Sequence, residues 1–141
     1  MFAFVDAMQV LMRSPHYMNH TLADLEWLLV PAVKTRQISI AKAQLKANGR
    51  VMPIGVIMWA SVSPEVNARI ASEIAERVKV KPDEWQSGSI IWLVDAIGDP
   101  KIIQSMIERL TATDWKGRSV HMRAQGANGQ IEVATLEPAV A

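Results

Sequence analysis

Apolar and polar positions follow two rhythms along this chain. From Phe2 to Met12 the apolar side chains Phe4, Val5, Met8, Leu11 and Met12 recur at helical spacing, which predicts a helix with one apolar face, ended by Ser14-Pro15. A second helical face carries Leu22, Leu25, Trp27, Leu28 and Leu29; Thr21 caps it, with Asp24 three residues on, and Pro31 is expected to stop it. The period then changes to two. Gln37 to Leu45 alternates like a half-exposed strand, and Asn48-Gly49 predicts a tight hairpin turn because both residues tolerate positive φ. The returning stretch, Val51 to Ser61, is nearly all apolar and reads as a central strand, with regular pairing expected only after Pro53.

Ser63-Pro64 opens another helix, with Ser63 as its N-cap and an apolar stripe of Val66, Ile70, Ile74 and Val78. A polar stretch from Val78 to Gly88 separates it from the buried strand Ser89 to Asp95. Asp99-Pro100 starts a further helix, with Ile102, Ile103, Met106, Ile107 and Leu110 facing inward. Ser119 to Gln125 and Ile131 to Thr135 flank Gly126-Ala127-Asn128-Gly129 as a closing hairpin, and the tail after Pro138 is expected to fray. This order predicts an α/β (α+β) sandwich, a single domain over 1–141 with one mostly antiparallel sheet flanked by helices.

Composition narrows the function classes. Half the residues are apolar and 21% are charged, a globular profile, and a net charge of +1 supplies no electrostatic footprint for nucleic acid. The absence of cysteine excludes disulfides, thiolate metal sites and a cysteine nucleophile, and fits a reducing compartment, so cytoplasm is the expectation. No apolar run is long enough to span a bilayer, and Met1 to Met12 lacks the pattern of a secretory leader.

Asp95 is the residue whose position most needs a reason, because it closes the run Ile90-Ile91-Trp92-Leu93-Val94. A carboxylate at the end of a buried strand must reach solvent, pair with a donor or cation, or do chemistry. Asp99 is better placed to cap the next helix, which leaves Asp95 available. His16 and His20 lie together between the first two helices, four apart on one face if the chain is helical there, and His121 stands apart. No ligand spacing for a metal accompanies them. The five tryptophans sit at helix and strand spacings and read as core. No glycine-rich phosphate cradle is present, which disfavours nucleotide enzymes and leaves a coenzyme A pyrophosphate without its usual turn.

In order, the segments Leu11-Met12-Arg13-Ser14-Pro15, Leu22-Ala23-Asp24-Leu25-Glu26-Trp27-Leu28, Trp59-Ala60-Ser61-Val62-Ser63, Glu84-Trp85-Gln86-Ser87-Gly88 and Trp92-Leu93-Val94-Asp95 resemble the toxin-activating lysine-acyltransferases. The resemblance spans most of the chain. It implies a fold like the GCN5-related N-acetyltransferases and transfer of a fatty acyl group from acyl carrier protein to an internal lysine of an RTX protoxin. It also implies no bound cofactor or metal, a cytoplasmic setting and a homodimer. Within the matching segments it implies substrate-lining roles for Ser14, Trp59, Ser61, Ser87 and Gly88. Its catalytic pair is a histidine of a Ser-Pro-x-His motif and an aspartate that Asp95 matches.

Ungapped counting places Tyr17 at the histidine position, with His16 just before it and His20 three residues after. A lysine nucleophile needs a base with a pKa near 7, which imidazole has and a phenol near ~10 does not. His20 and His16 are therefore both candidates for the base. Two other readings stay open: an inactive relative that binds acyl carrier protein or another partner, and a coenzyme A-dependent acetyltransferase.

Overall fold

The computed structural model describes residues 3–15, 17–73 and 78–138. Phe2, His16, Ile74 and the tail beyond Pro138, all named in the sequence reading, lie outside them. Helix α1 (Ala3–Met12) leads through a 3-10 turn at Leu22–Asp24 into two short helices, α2 (Leu25–Leu28) and α3 (Val30–Lys34). Strands β1 (Ile38–Gln44) and β2 (Val51–Val62) form a hairpin, followed by α4 (Pro64–Ser72), a 3-10 turn at Pro82–Glu84 and β3 (Ile90–Gly98). Helix α5 (Pro100–Ala112) then crosses to β4 (Val120–Gln125), and β5 (Ile131–Leu136) returns beside it.

The five strands form one sheet in the order β1-β2-β3-β4-β5. All pairs are antiparallel except β3 with β4, whose parallel ladder consists of Ile91 with Val120 and Trp92 with His121. Beyond Trp92, β3 continues to Gly98 without pairing to β4. This is the mixed, mostly antiparallel sandwich that the element order implied, consistent with the GCN5-related type.

Alternation along β2 divides the core between the two faces of the sheet. Val56, Met58, Ala60 and Val62 pack with α1 and α3 through Ala7, Val10, Leu11, Leu29 and Ala32. Ile57 and Trp59 point the other way, into a second core with Met106 and Leu110 of α5, Trp115 and Val120. Burial of the tryptophans follows from this arrangement: Trp85, Trp92 and Trp115 are nearly inaccessible, and Trp59 meets Trp115 edge-on, 5.5 Å between ring centroids.

Four local expectations change. Pro31 does not stop the helix but sits in the first turn of α3, where its missing N–H has no intrahelical partner to lose. The β1–β2 connection is a four-residue loop closed by Leu45 and Arg50, in which only Gly49 takes a positive φ, +69°. Asn48 instead accepts the Arg50 N–H through Oδ1 at 2.9 Å. Pro53 is paired with Lys42 of β1, although the ladder to β3 does begin after it, at Gly55. Helix α4 ends at Ser72, so Val78 is buried from an extended segment and not from a helical stripe. Both proline-led helices are capped as their sequences imply, with Ser63 Oγ accepting from Val66 N–H and Asp99 Oδ1 from Lys101 N–H.

Candidate active site

Strand β3 runs on past Asp95 to Gly98, so the carboxylate lies within the strand and not at its end. Its orientation comes from a bulge. Met58 pairs with Asp95 and Trp59 with Leu93, which leaves Val94 as an extra residue. Before the bulge, Trp92 faces the α1 core and Leu93 the α5 core; after it, Ala96 faces α5 and Ile97 faces α1. Val94 and Asp95 consequently both fall on the α1 side, where regular alternation would have aimed Asp95 into the apolar core under α5.

On that side Asp95 lines an open cleft of about 590 Å³, roofed by the end of α1 and the turn after it. Ser14 ends the helix there. Its N–H donates to Leu11 O, and its carbonyl accepts from Tyr17 and Met18 N–H, all at 3.0 Å, so the chain folds back over the sheet. Arg13 ties this turn down: Nε donates to Gln9 O at 3.1 Å, and Nη2 donates to the Pro53 carbonyl of β2. Val10, Arg13, Ser14, Pro15 and Tyr17 form one wall, and Ile54 with Asp95 to Gly98 forms the other. Asp95 Oδ1 accepts the Ala96 N–H at 2.8 Å, which fixes the carboxylate against its own backbone.

Of the two candidate bases, His20 is among the described residues. His20 lines a second cavity, of about 250 Å³, on the far side of Tyr17, and its ring lies 4.9 Å from the Tyr17 ring. Tyr17 is buried and lines both cavities. His16 is outside the described residues, but Pro15 and Tyr17 on either side of it both line the cleft that holds Asp95. Near His20, hydrogen bonds from Thr21, the backbone N–H foremost, hold the Asp24 carboxyl below its ordinary range.

Of the five residues expected to line substrate, Ser14 is in the cleft wall. The other four are engaged elsewhere. Trp59 is in the α5 core. Ser61 Oγ donates to Gln37 Oε1 at 2.7 Å. Ser87 Oγ donates to Glu84 O and accepts from Ser63 N–H. Gly88 lies so close to β2 that a Cβ would sit 2.4 Å from Val62 O. These motifs bear on the packing of the loop before β3, where Gln37, Arg69 and Glu84 complete the network.

Two contributors to the cleft escaped sequence reading. Arg13 stood inside a quoted segment with no signal for its carbonyl partner, and the bulge left only a faint one, the lone polar residue within a run of apolar ones. Among the described residues no three His, Asp or Glu side chains cluster as metal ligands would, and no helix is long and apolar enough to cross a membrane.

A sequence profile of the RTX toxin acyltransferase family matches residues 2–136, a span that contains both walls of the cleft. The chain belongs to this family. Its similarity to the protein-lysine myristoyltransferase RtxC of Kingella kingae is 26% identity over 118 residues, covering 82% of this chain and 65% of that protein. The chain thus spans just under two thirds of its relative's length. Within this RTX toxin acyltransferase family member, the segments that carried the resemblance divide into those that build the cleft and those that hold the fold.

Proposed function

We propose that this chain is a protein-lysine acyltransferase that takes a fatty acyl group from acyl carrier protein and places it on an internal lysine of an RTX-type protoxin. Membership of the family supports the reaction class, and the lysine myristoylation for which the relative is named supports the acceptor group. The observation that carries the reading is the bulge, which turns Asp95 out of the core and into the cleft lined on its other side by Arg13, Ser14, Pro15 and Tyr17.

In this mechanism His16 is the base, preferred to His20 because His20 lines the cavity beyond Tyr17. The lysine Nζ attacks the thioester carbonyl, and the imidazole accepts the ammonium proton as the C–N bond forms. Asp95 orients the ring and stabilises its cation. Backbone N–H groups along the cleft hold the oxyanion, and collapse breaks the C–S bond, with the imidazolium returning its proton to the departing carrier thiolate. The acyl thioester is a substrate, so the reaction calls for no resident cofactor or metal. The reading sets the protein in the cytoplasm, with its donor and its uncleaved acceptor, and as a homodimer.

The test is incubation of the purified protein with acyl carrier protein charged with fatty acids of several lengths and a lysine-bearing protoxin fragment, read by mass spectrometry. A mass increase of one acyl group on a lysine is expected. No acylation at any chain length, with an active family member working in parallel, would favour an inactive relative in which Tyr17 has displaced the catalytic imidazole.

A further inference from the structure

The second cavity has a lining unlike that of the cleft. Met8, Leu11, Met12, Met18, Leu22 and Leu25 surround it, and none of its wall residues is Asp, Glu, Lys or Arg. Met8 and Met12 stand four apart on α1 with Leu11 beside them, so the helix presents one apolar face to it. Its rim is unusually greasy for a surface: Met12 is 66%, Met18 63% and Leu22 81% exposed. An apolar concavity with an exposed apolar margin marks a binding site more often than a packing defect. Methionines suit a flexible occupant, because their unbranched side chains adapt to its shape.

We infer that this cavity receives the hydrocarbon tail of the acyl donor. The inference rests on the proposed acyltransferase reading and extends it to the substrate's tail. Adjacency to the cleft decides the occupant. Tyr17 lines both spaces, so a thioester held beside Asp95 has its alkyl chain one aromatic ring away from the methionine-lined cavity. Among the described residues that line it, His20 is the one titratable imidazole and no Asp, Glu, Lys or Arg is present, which fits a neutral alkyl chain better than the charged side chains of a protein partner. Size agrees as well. A methylene is about as large as a water molecule, whose share of liquid volume is ~30 Å³, so about 250 Å³ takes about eight methylenes. Longer chains would continue along the exposed rim of Met12, Met18 and Leu22.

Two experiments test this, one independent of turnover. A small-molecule thioester of a 14-carbon acid with a terminal diazirine is photolysed with the intact protein, and the adducts are mapped. Label on the cavity residues between Met8 and Leu25 is expected; label confined to other segments, or none, would overturn the inference. In the second, Met8→Trp narrows the cavity and Met18→Glu charges its exposed rim, where folding tolerates a polar residue. The ratio of 14-carbon to 4-carbon transfer is expected to fall at least tenfold in both. An unchanged ratio in an enzyme that still acylates lysine would contradict the tail site and leave the acyltransferase reading standing. No transfer by the unmodified protein at any length would remove that reading, and the photolabel would still decide whether the cavity binds an acyl chain. Equal loss at all lengths in Met18→Glu, with no label on the cavity residues, would mark the rim as a carrier-protein face and displace the tail.

Discussion

Two regions of this molecule carry family-like segments of equal prominence in the sequence, yet they do different work. In one region, Arg13 to Pro15 and Asp95 meet across an open cleft. In the other, Trp59 to Ser63 and Glu84 to Gly88 are committed to each other. Gln37, 6% exposed, donates through Nε2 to Trp85 O and Thr35 Oγ1, both at 2.9 Å, and accepts from Ser61. Arg69 of α4 grips Glu84 with two hydrogen bonds, 2.7 and 2.9 Å, and Trp85 is fully buried behind them. A motif can therefore recur because it touches substrate or because it holds the element that does. Substitutions should separate the two by what they damage.

The largest contrast is expected at Asp95. Asp95→Asn keeps an oxygen for the Ala96 N–H, so stability should change little, while kcat falls by about 10²-fold or more with KM nearly unchanged. Asp95→Glu should recover part of the rate. A matched loss of stability would make the carboxylate a structural group. Opposite behaviour is expected at Gln37. Gln37→Leu leaves the Ser61 hydroxyl without its acceptor and the Trp85 carbonyl with only the Ser61 N–H, and should cost about 2 kcal/mol in a denaturant titration, with the rate per folded molecule preserved.

A smaller effect is expected at Glu84. Burial works against its ionisation, but the hydrogen bonds from Arg69 and the Lys81 N–H outweigh this and hold its carboxyl below the ordinary value. Because the folded-state pKa is depressed, the resulting stability is fully present above the unfolded value of ~4.3 and is lost as pH falls through the lower folded value. Glu84→Gln should cost about 1 to 2 kcal/mol at neutral pH and flatten the acid limb of the stability curve. An acid limb as steep as in the unmodified protein would assign that limb to other carboxylates.

The same contrast explains what the sequence makes legible. Helix starts at Ser63-Pro64 and Asp99-Pro100 can be read because capping and proline placement are local. The central place of β2 follows from its unbroken apolar run, since both faces of that strand are buried. Pro31 is misleading because the same residue can end a helix or begin one, and the offset backbone at Leu29 that decides between them is a product of packing. The bulge at Val94 is hidden for a similar reason: it is a mismatch between two strands and belongs to neither alone. The expectation that Ser61, Ser87 and Gly88 line substrate comes from their company in the sequence, and the neighbours they meet, Gln37, Glu84 and Val62, are fixed only by the tertiary fold. Tyr17 and His20 show the limit most sharply, because Tyr17 lines both cavities whereas His20, three positions on, lines the second.

The central claim is that the base belongs to the Asp95 cleft and not to the cavity beyond Tyr17. Initial rates of lysine acylation by His16→Ala and His20→Ala, measured from pH 5.5 to 8.5 with acyl carrier protein as donor, test it directly. His16→Ala should lose about 10²-fold or more in kcat together with the rise in rate with pH that a general base gives, and His20→Ala should keep both. Loss of rate and pH dependence in His20→Ala, with His16→Ala unaffected, would contradict the claim.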